Sequence, residues 1–290
     1  MPDAGDAARA LSDALEPPSA AGTRRARMDR RGATTVRIAA VGDFHCGGDD
    51  VGAYREMFAK ANDVADALVL PGDLTRRGLI AEFKIVVGEL ADVKIPIVAV
   101  LGNHDYESAH ESDGTKILRD RGVHVLCGDA YQIDDRVGFA GVKGFIGGFG
   151  RGLLTSFGEP ETKAIVKTAL EEVHNLELAL RKVMNPVRIA VMHYSPVEAT
   201  LKGEPEVIYP YLGTDRLAEP LDRFGATVCF HGHAHSGSFE GRTPGGVPVF
   251  NVAHAVVVRA KKGELFYVHE MVVGASGQGP GAREHLVAIP

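Results

Sequence analysis

Residues 36–45 read VRIAAVGDFH, residues 67–73 read ALVLPGD, and residues 96–105 read PIVAVLGNHD. Each is a short apolar run that stops at a glycine and then presents an acid, an amide or an imidazole. An apolar run of this length bounded by turn residues is the pattern of a strand buried on both faces, as in a parallel sheet covered by helices. The arrangement returns twice in the second half, at 187–193 (VRIAVMH) and 226–235 (ATVCFHGHAH). Strands are therefore expected over 35–41, 67–70, 96–101, 187–192 and 226–230. In an open α/β sheet, ligands bind where loops converge beyond the carboxyl ends of the strands, so the clusters that follow these runs can meet in space although they are far apart in sequence.

Working outward, helical spacing fills 51–64, 79–91, 109–121 and 161–183, and shorter strands are expected over 123–126, 130–133, 138–142, 247–252 and 265–273. In the long 161–183 pattern, Ile165, Leu170, Val173, Leu176 and Leu180 lie near one side and are expected to pack. Strands alternating with helices give a mixed α/β protein.

The clusters carry chemistry. Asp43 and His45, Asp73, Asn103 with His104 and Asp105, His193, and His233 with His235 together supply enough oxygen and imidazole ligands for two adjacent metal ions. A carboxylate such as Asp73 can bridge two cations, while neutral imidazoles and an amide oxygen complete the shells without excess negative charge. Two metals about 3.5–4 Å apart can clamp a phosphoryl group and activate water for in-line attack. Gly72, Gly102 and Gly232 suit sharp strand exits and close backbone approach.

The D-x-H, G-D, G-N-H-D, H and G-H-x-H blocks, all present in order over about residues 36–273, resemble the signature of the calcineurin-like metallophosphoesterases. The resemblance implies a four-layered α/β/β/α sandwich with metal loops at the carboxyl ends of the strands. It also implies Asp43, His45, Asp73 and His235 around a first metal, Asp73 as bridge, and Asn103, His193 and His233 completing a second. The metals would be manganese, iron or zinc. His104 would stand beside them as a general acid toward the leaving oxygen or as a phosphate-binding donor, with Asp105 orienting it.

The implied activity is metal-dependent hydrolysis of a small phosphodiester or phosphomonoester by a bimetal-activated water or hydroxide. The Gly72–Thr75 and Gly102–Tyr106 blocks resemble most the cyclic-nucleotide-type phosphodiesterases. The family's protein phosphatases carry a G-D-x-x-D-R-G pattern; here Arg76 replaces its second acid ahead of Arg77-Gly78, and Asp105 replaces a glutamate, which argues against that branch. A protein phosphatase, a nuclease and a catalytically silent phosphoester-binding scaffold are the alternatives.

The remaining composition narrows partners. A formal net charge of −6 over 290 residues offers no global basic surface for nucleic acid. Cys46, Cys127 and Cys229 form neither a disulfide framework nor a C-x-x-C site, and Cys46 reads as a packed residue. No apolar segment approaches transmembrane length and no N-terminal signal pattern occurs, so a cytoplasmic protein with a small phosphoester partner and no membrane partner is expected. Residues 1–34, with an arginine-dense run and a second methionine at Met28, read as a disordered tail ahead of a single domain over 35–290. Specificity is expected from two loops, residues 144–158 with Arg151, and residues 194–215 with Tyr209 and Tyr211. His174 reads as structural or exposed, and His254 as a packing residue behind the metal loops.

Overall fold

The computed structural model describes residues 34–273; the N-terminal tail expected over 1–34, including Met28, lies outside them apart from Thr34. Two sheets form the centre. In the first, β1 (Thr34–Ala40), β2 (Ala67–Pro71), β3 (Ile97–Val100) and β4 (Val123–Val125) run parallel, and β11 (Tyr267–Val273) closes one edge antiparallel to β1. In the second, β6 (Val137–Gly141), β7 (Val187–Val191), β8 (Val228–His231) and β10 (Pro248–Asn251) run parallel. Its edges are β5 (Asp129–Gln132) and β9 (Glu240–Arg242), each antiparallel to its neighbour.

The helices cover the outer faces: α1 (Arg55–Val64), α2 (Ile80–Glu89) and α3 (Glu111–Asp120) on the first sheet, and α4 (Pro160–Lys182) with α6 (Ala218–Arg223) on the second. The short α5 (Tyr209–Leu212) and α7 (His254–Ala260) lie in the connections after β7 and β10. Strand side chains alternate between two cores, as a period of two demands. Ala39, Leu68, Leu70, Ile97 and Ala99 face the first helical layer, while Val36, Ile38, Val69, Val98 and Val100 face the other sheet. In the second sheet Phe139, Ile189, Val191 and Phe230 join that inter-sheet core, and Ala140, Ala190 and Cys229 face α4 and α6. Three successive cores make four layers, α/β/β/α.

The long helix buries a stripe different from the expected one. Val166, Ala169, Leu176, Ala179 and Leu180 are buried, whereas Ile165 is 36% exposed and Leu170 47%. Positions 166, 169, 173, 176 and 180 follow the helical repeat more closely, and the alanines in the stripe hid it from a count of large apolar residues. Cys46 and Cys229 are buried and all three cysteines are free. No described helix is long and apolar enough to cross a membrane.

Candidate metal centre

Every cluster residue follows a parallel strand, so all emerge at the same rim of the two sheets. The exits are stitched across the inter-sheet seam: Gly42 N donates to Val252 O, His254 N donates to Gly42 O, and His233 N donates to Asp43 Oδ1. The backbone bends sharply there. Asp43, His45, Asp73 and His233 adopt positive φ of 55°, 44°, 50° and 70°, a region non-glycine residues enter at a cost. Surrounding hydrogen bonds hold them in it, among them Asp43 N to Gly72 O and His45 N to Asp73 O.

The motif glycines make room for these side chains. A Cβ on Gly72, whose φ is +86°, would lie 2.6 Å from His193 Nδ1. A Cβ on Gly102 would collide with Asp73 Oδ1, and one on Gly232 with Asp43 Oδ2. Each glycine thus leaves the space that a cluster residue fills.

Two groups of side chains converge. Asp43, His45, Asp73 and His235 form one, and Asp73, His193 and His233 the other; within each group, one ligand atom per residue lies within 4.8 Å of all the rest. Asn103 adjoins the second, its Oδ1 2.8 Å from His193 Nε2. Backbone carbonyls fix the protons of this group. Pro71 O faces His193 Nδ1 at 3.0 Å and Tyr211 O faces His233 Nε2 at 3.1 Å. A carbonyl only accepts, so these outer nitrogens carry the hydrogens and the inner ones present lone pairs when the rings are neutral. Burial keeps His233 neutral by pushing its pKa down to about 3. With both rings neutral, His193 Nε2 and His233 Nδ1, 3.1 Å apart, both present lone pairs beside Asn103 Oδ1 and with Asp73 Oδ1 3.5 Å away. Such a concentration of lone pairs fits a cation.

The first group is more open. His45 Nε2 and His235 Nε2 are 3.3 Å apart, and Asp43 Oδ1 is 3.0 Å from His235 Nε2. Burial pushes the pKa of His45 down to about 4, while its hydrogen bond to Asp43 raises that of His235. Burial acts to raise the pKa of Asp43, but the hydrogen bond from His235 and the surrounding histidines win and hold it low. Asp43 Oδ2 is buried without a hydrogen-bond partner, an acceptor that a cation would satisfy. The donor set is carboxylate, imidazole and amide with no thiolate, which suits manganese, iron or zinc.

His104 stands at the rim of this cluster, its ring centroid 4.6 Å from that of His45. Arg76 O accepts from its Nδ1 at 2.8 Å, leaving Nε2 4.0 Å from Asp73 Oδ2. Asp105 does not orient this ring. Its fully buried carboxylate accepts from Leu74 N, Thr75 N, Gly102 N and Thr75 Oγ1. It ties the Asp73 loop to the Gly102 loop, and the Arg76 carbonyl orients His104 instead. Burial, then the charge of Asp73, raises the pKa of Asp105 to about 6.

Several contributors carried no sequence signal. His231, fully buried, sets the G-H-A-H turn through Gly232 O at 2.8 Å and Thr200 Oγ1 at 2.9 Å, and Asn251 Nδ2 donates to Ala234 O in the same turn. Only the alternation of polar residues with buried strand positions could have flagged them. Arg76, at the place of the missing acid, pairs with Asp49 and Asp50. The two expected specificity loops lie side by side: Gly147 N donates to Pro210 O and Gly150 N to Asp215 Oδ2. Tyr209 packs beside Phe149, Leu201, Leu212 and Ala234, whereas Tyr211 is 62% exposed. Arg151 and His174 are exposed. His254 opens α7 with its Nε2 buried and unpartnered.

Comparisons with known proteins agree with this architecture. Phosphopantetheinyl hydrolase from Mycobacterium tuberculosis is similar with a TM-score of 0.57 at 16% identity, over 84% of this chain and 98% of that one. The protein TT1561 of Thermus thermophilus is similar with a TM-score of 0.52 at 15% identity, over 82% of this chain and 98% of that one. At such identities the likeness is one of fold. No curated protein sequence matches. The family model of the calcineurin-like phosphoesterases matches residues 36–237, which hold every cluster described above; the chain belongs to that family.

Proposed function

We propose that this protein is a dinuclear metal-dependent phosphohydrolase acting on a small phosphodiester or phosphomonoester. The observation that carries this reading is the pair of imidazole nitrogens, His193 Nε2 and His233 Nδ1, whose lone pairs are turned toward one point by carbonyls on the far side of each ring. Asp43, His45, Asp73 and His235 would hold one divalent cation, and Asp73, Asn103, His193 and His233 the other. The cations would supply Lewis-acid charge to the phosphoryl group and acidify an attacking water.

The chain's own residues do the rest. The Asp73 carboxylate, shared by both groups, would offset the repulsion between two cations. His104 holds a proton at Nε2 when the ring is charged, because Arg76 O fixes Nδ1 as the other N–H, and from the rim that proton is placed for delivery to a leaving oxygen. Asp105 keeps the loops bearing Asp73 and Asn103 in register. The blocks at Gly72 and Gly102 favour the cyclic-nucleotide-type phosphodiesterases over protein phosphatases, and the engagement of Arg76 with Asp49 and Asp50 supports that preference. A net charge of −6 favours a small substrate over a nucleic acid or an anionic membrane.

The test is a substrate screen of purified protein with bis-p-nitrophenyl phosphate, p-nitrophenyl phosphate and cyclic nucleotides, in manganese and after chelation. Turnover of a diester that chelation removes and manganese restores is expected. Inactivity with every metal and substrate would favour the silent scaffold instead.

A further inference from the structure

Lys143 follows β6 at the same rim as the metal ligands. Its carbonyl accepts from both His193 N and Tyr194 N, at 3.0 and 3.1 Å, so the second ligand group and Lys143 share one backbone junction. The side chain is largely enclosed. Its ammonium lies 4.7 Å from the ring centroid of Phe145, 5.1 Å from that of Tyr194 and 5.4 Å from that of Tyr106. Tyr106 follows the His104–Asp105 pair, and the Tyr194 ring lies 4.5 Å from the His233 ring. The lysine therefore sits between the two arms of the site, one aromatic ring beyond His233.

An ammonium has three donors. Gly144 O takes one at 2.9 Å. Among the described residues nothing else accepts from Lys143, and no carboxylate forms an ion pair with it; the nearby Glu172 carboxylate instead accepts from Gly144 N at 2.7 Å. Neither the Tyr106 nor the Tyr194 hydroxyl hydrogen-bonds to another described residue. Glu172 offsets part of the cost of enclosing the charge from beyond ion-pair distance, three ring faces offset a further part, and a methionine would fill the same box at no such cost. The pocket thus combines a positive charge with donors that no described residue accepts from.

Resting on the phosphohydrolase reading above, we propose that Lys143, with the Tyr106 and Tyr194 hydroxyls, forms a second anion subsite that receives a non-reacting phosphate or carboxylate of the substrate. Substrates with a second anionic group beyond the scissile phosphoryl are then preferred. This subsite determines specificity and takes no part in bond cleavage.

The test compares two ligands of matched length, propylphosphonate and 3-phosphonopropionate, which differ by one distal carboxylate. Calorimetric titration into manganese-loaded protein is expected to show the second binding about tenfold tighter, the scale of one charge-assisted hydrogen bond. Lys143→Met should bring the ratio toward one, Lys143→Arg should keep part of it, and Tyr106→Phe or Tyr194→Phe should lower it while preserving the rings. Equal affinity of the wild-type protein for the two ligands would overturn the subsite, as would a tenfold ratio that survives in a folded Lys143→Met protein. Because binding is read directly, a protein that turns over no substrate and still shows the ratio would sink the phosphohydrolase reading and keep the subsite. Substrate-screen turnover without the ratio would do the reverse.

Discussion

The two ligand groups are built differently. The one around His193 and His233 is deep and locked: the His193 side chain is fully buried, and both rings are oriented by backbone carbonyls from other loops. The one around His45 and His235 is open, with side-chain exposures of 23% and 44%, and is organised by the charge of Asp43. Backbone acceptors set tautomers without depending on any ion, so the locked group is preorganised for a cation. The open group gathers its imidazoles around a carboxylate, and a cation held there would be what orders it. Preorganisation raises affinity by removing ordering cost, so the two positions should differ in how tightly they hold metal.

The strongest way to break this comparison is to remove what the groups share. Asp73→Asn is expected to deplete both positions and lower turnover by more than about a thousandfold, because the bridge loses its charge; metal analysis and diester hydrolysis check it. Retention of both ions would contradict the shared role. His104→Ala removes none of the ligands, and is expected to spare metal content while lowering kcat by about a hundredfold or more. An unchanged rate would remove the ring from the chemistry.

The comparison sharpens when the groups are damaged one at a time. Manganese titration of the metal-free protein is expected to resolve a tighter and a weaker position separated by about tenfold. His193→Ala should abolish the tighter one and His45→Ala the weaker. The reverse assignment would show that charge, rather than carbonyl locking, sets affinity.

A smaller effect separates the site from the scaffold. His269, on β11, lies in the inter-sheet aromatic cluster with Phe230, Phe250 and Tyr267, and burial pushes its pKa from 6.5 down to about 4. The unfolded chain then binds this proton more readily than the folded one. Stability from the neutral ring is therefore complete above about pH 6.5 and is lost as pH falls through 4. Urea midpoints measured across this range should decline less steeply for His269→Phe. An identical slope would assign the acid sensitivity to other groups, the ligand clusters among them.

The sequence was most legible where side-chain periodicity and glycine carry the structure. Runs such as 67–70 and 187–192 announce buried strands, and Gly72, Gly102 and Gly232 mark exits where a Cβ would meet a cluster residue. The division of ligands came from the family resemblance, not from spacing. What stayed hidden acts through backbone atoms or long sequence separations. Pro71 O and Tyr211 O leave no residue-type signature, so the locking of His193 and His233 was unreadable. The family resemblance implied that Asp105 orients His104, yet its carboxylate reaches back 30 residues to Thr75. In α4, Ala169 and Ala179 belong to the buried stripe that Ile165 and Leu170 had been expected to form. The short β9 and α7 lack enough periodicity to stand out.

Electron paramagnetic resonance of the manganese-reconstituted protein tests the central claim most directly, since it reads two neighbouring ions without requiring a substrate. About two manganese ions per chain are expected, with an exchange-coupled spectrum that collapses in Asp73→Asn. A single ion per chain with the hyperfine pattern of isolated manganese would contradict it.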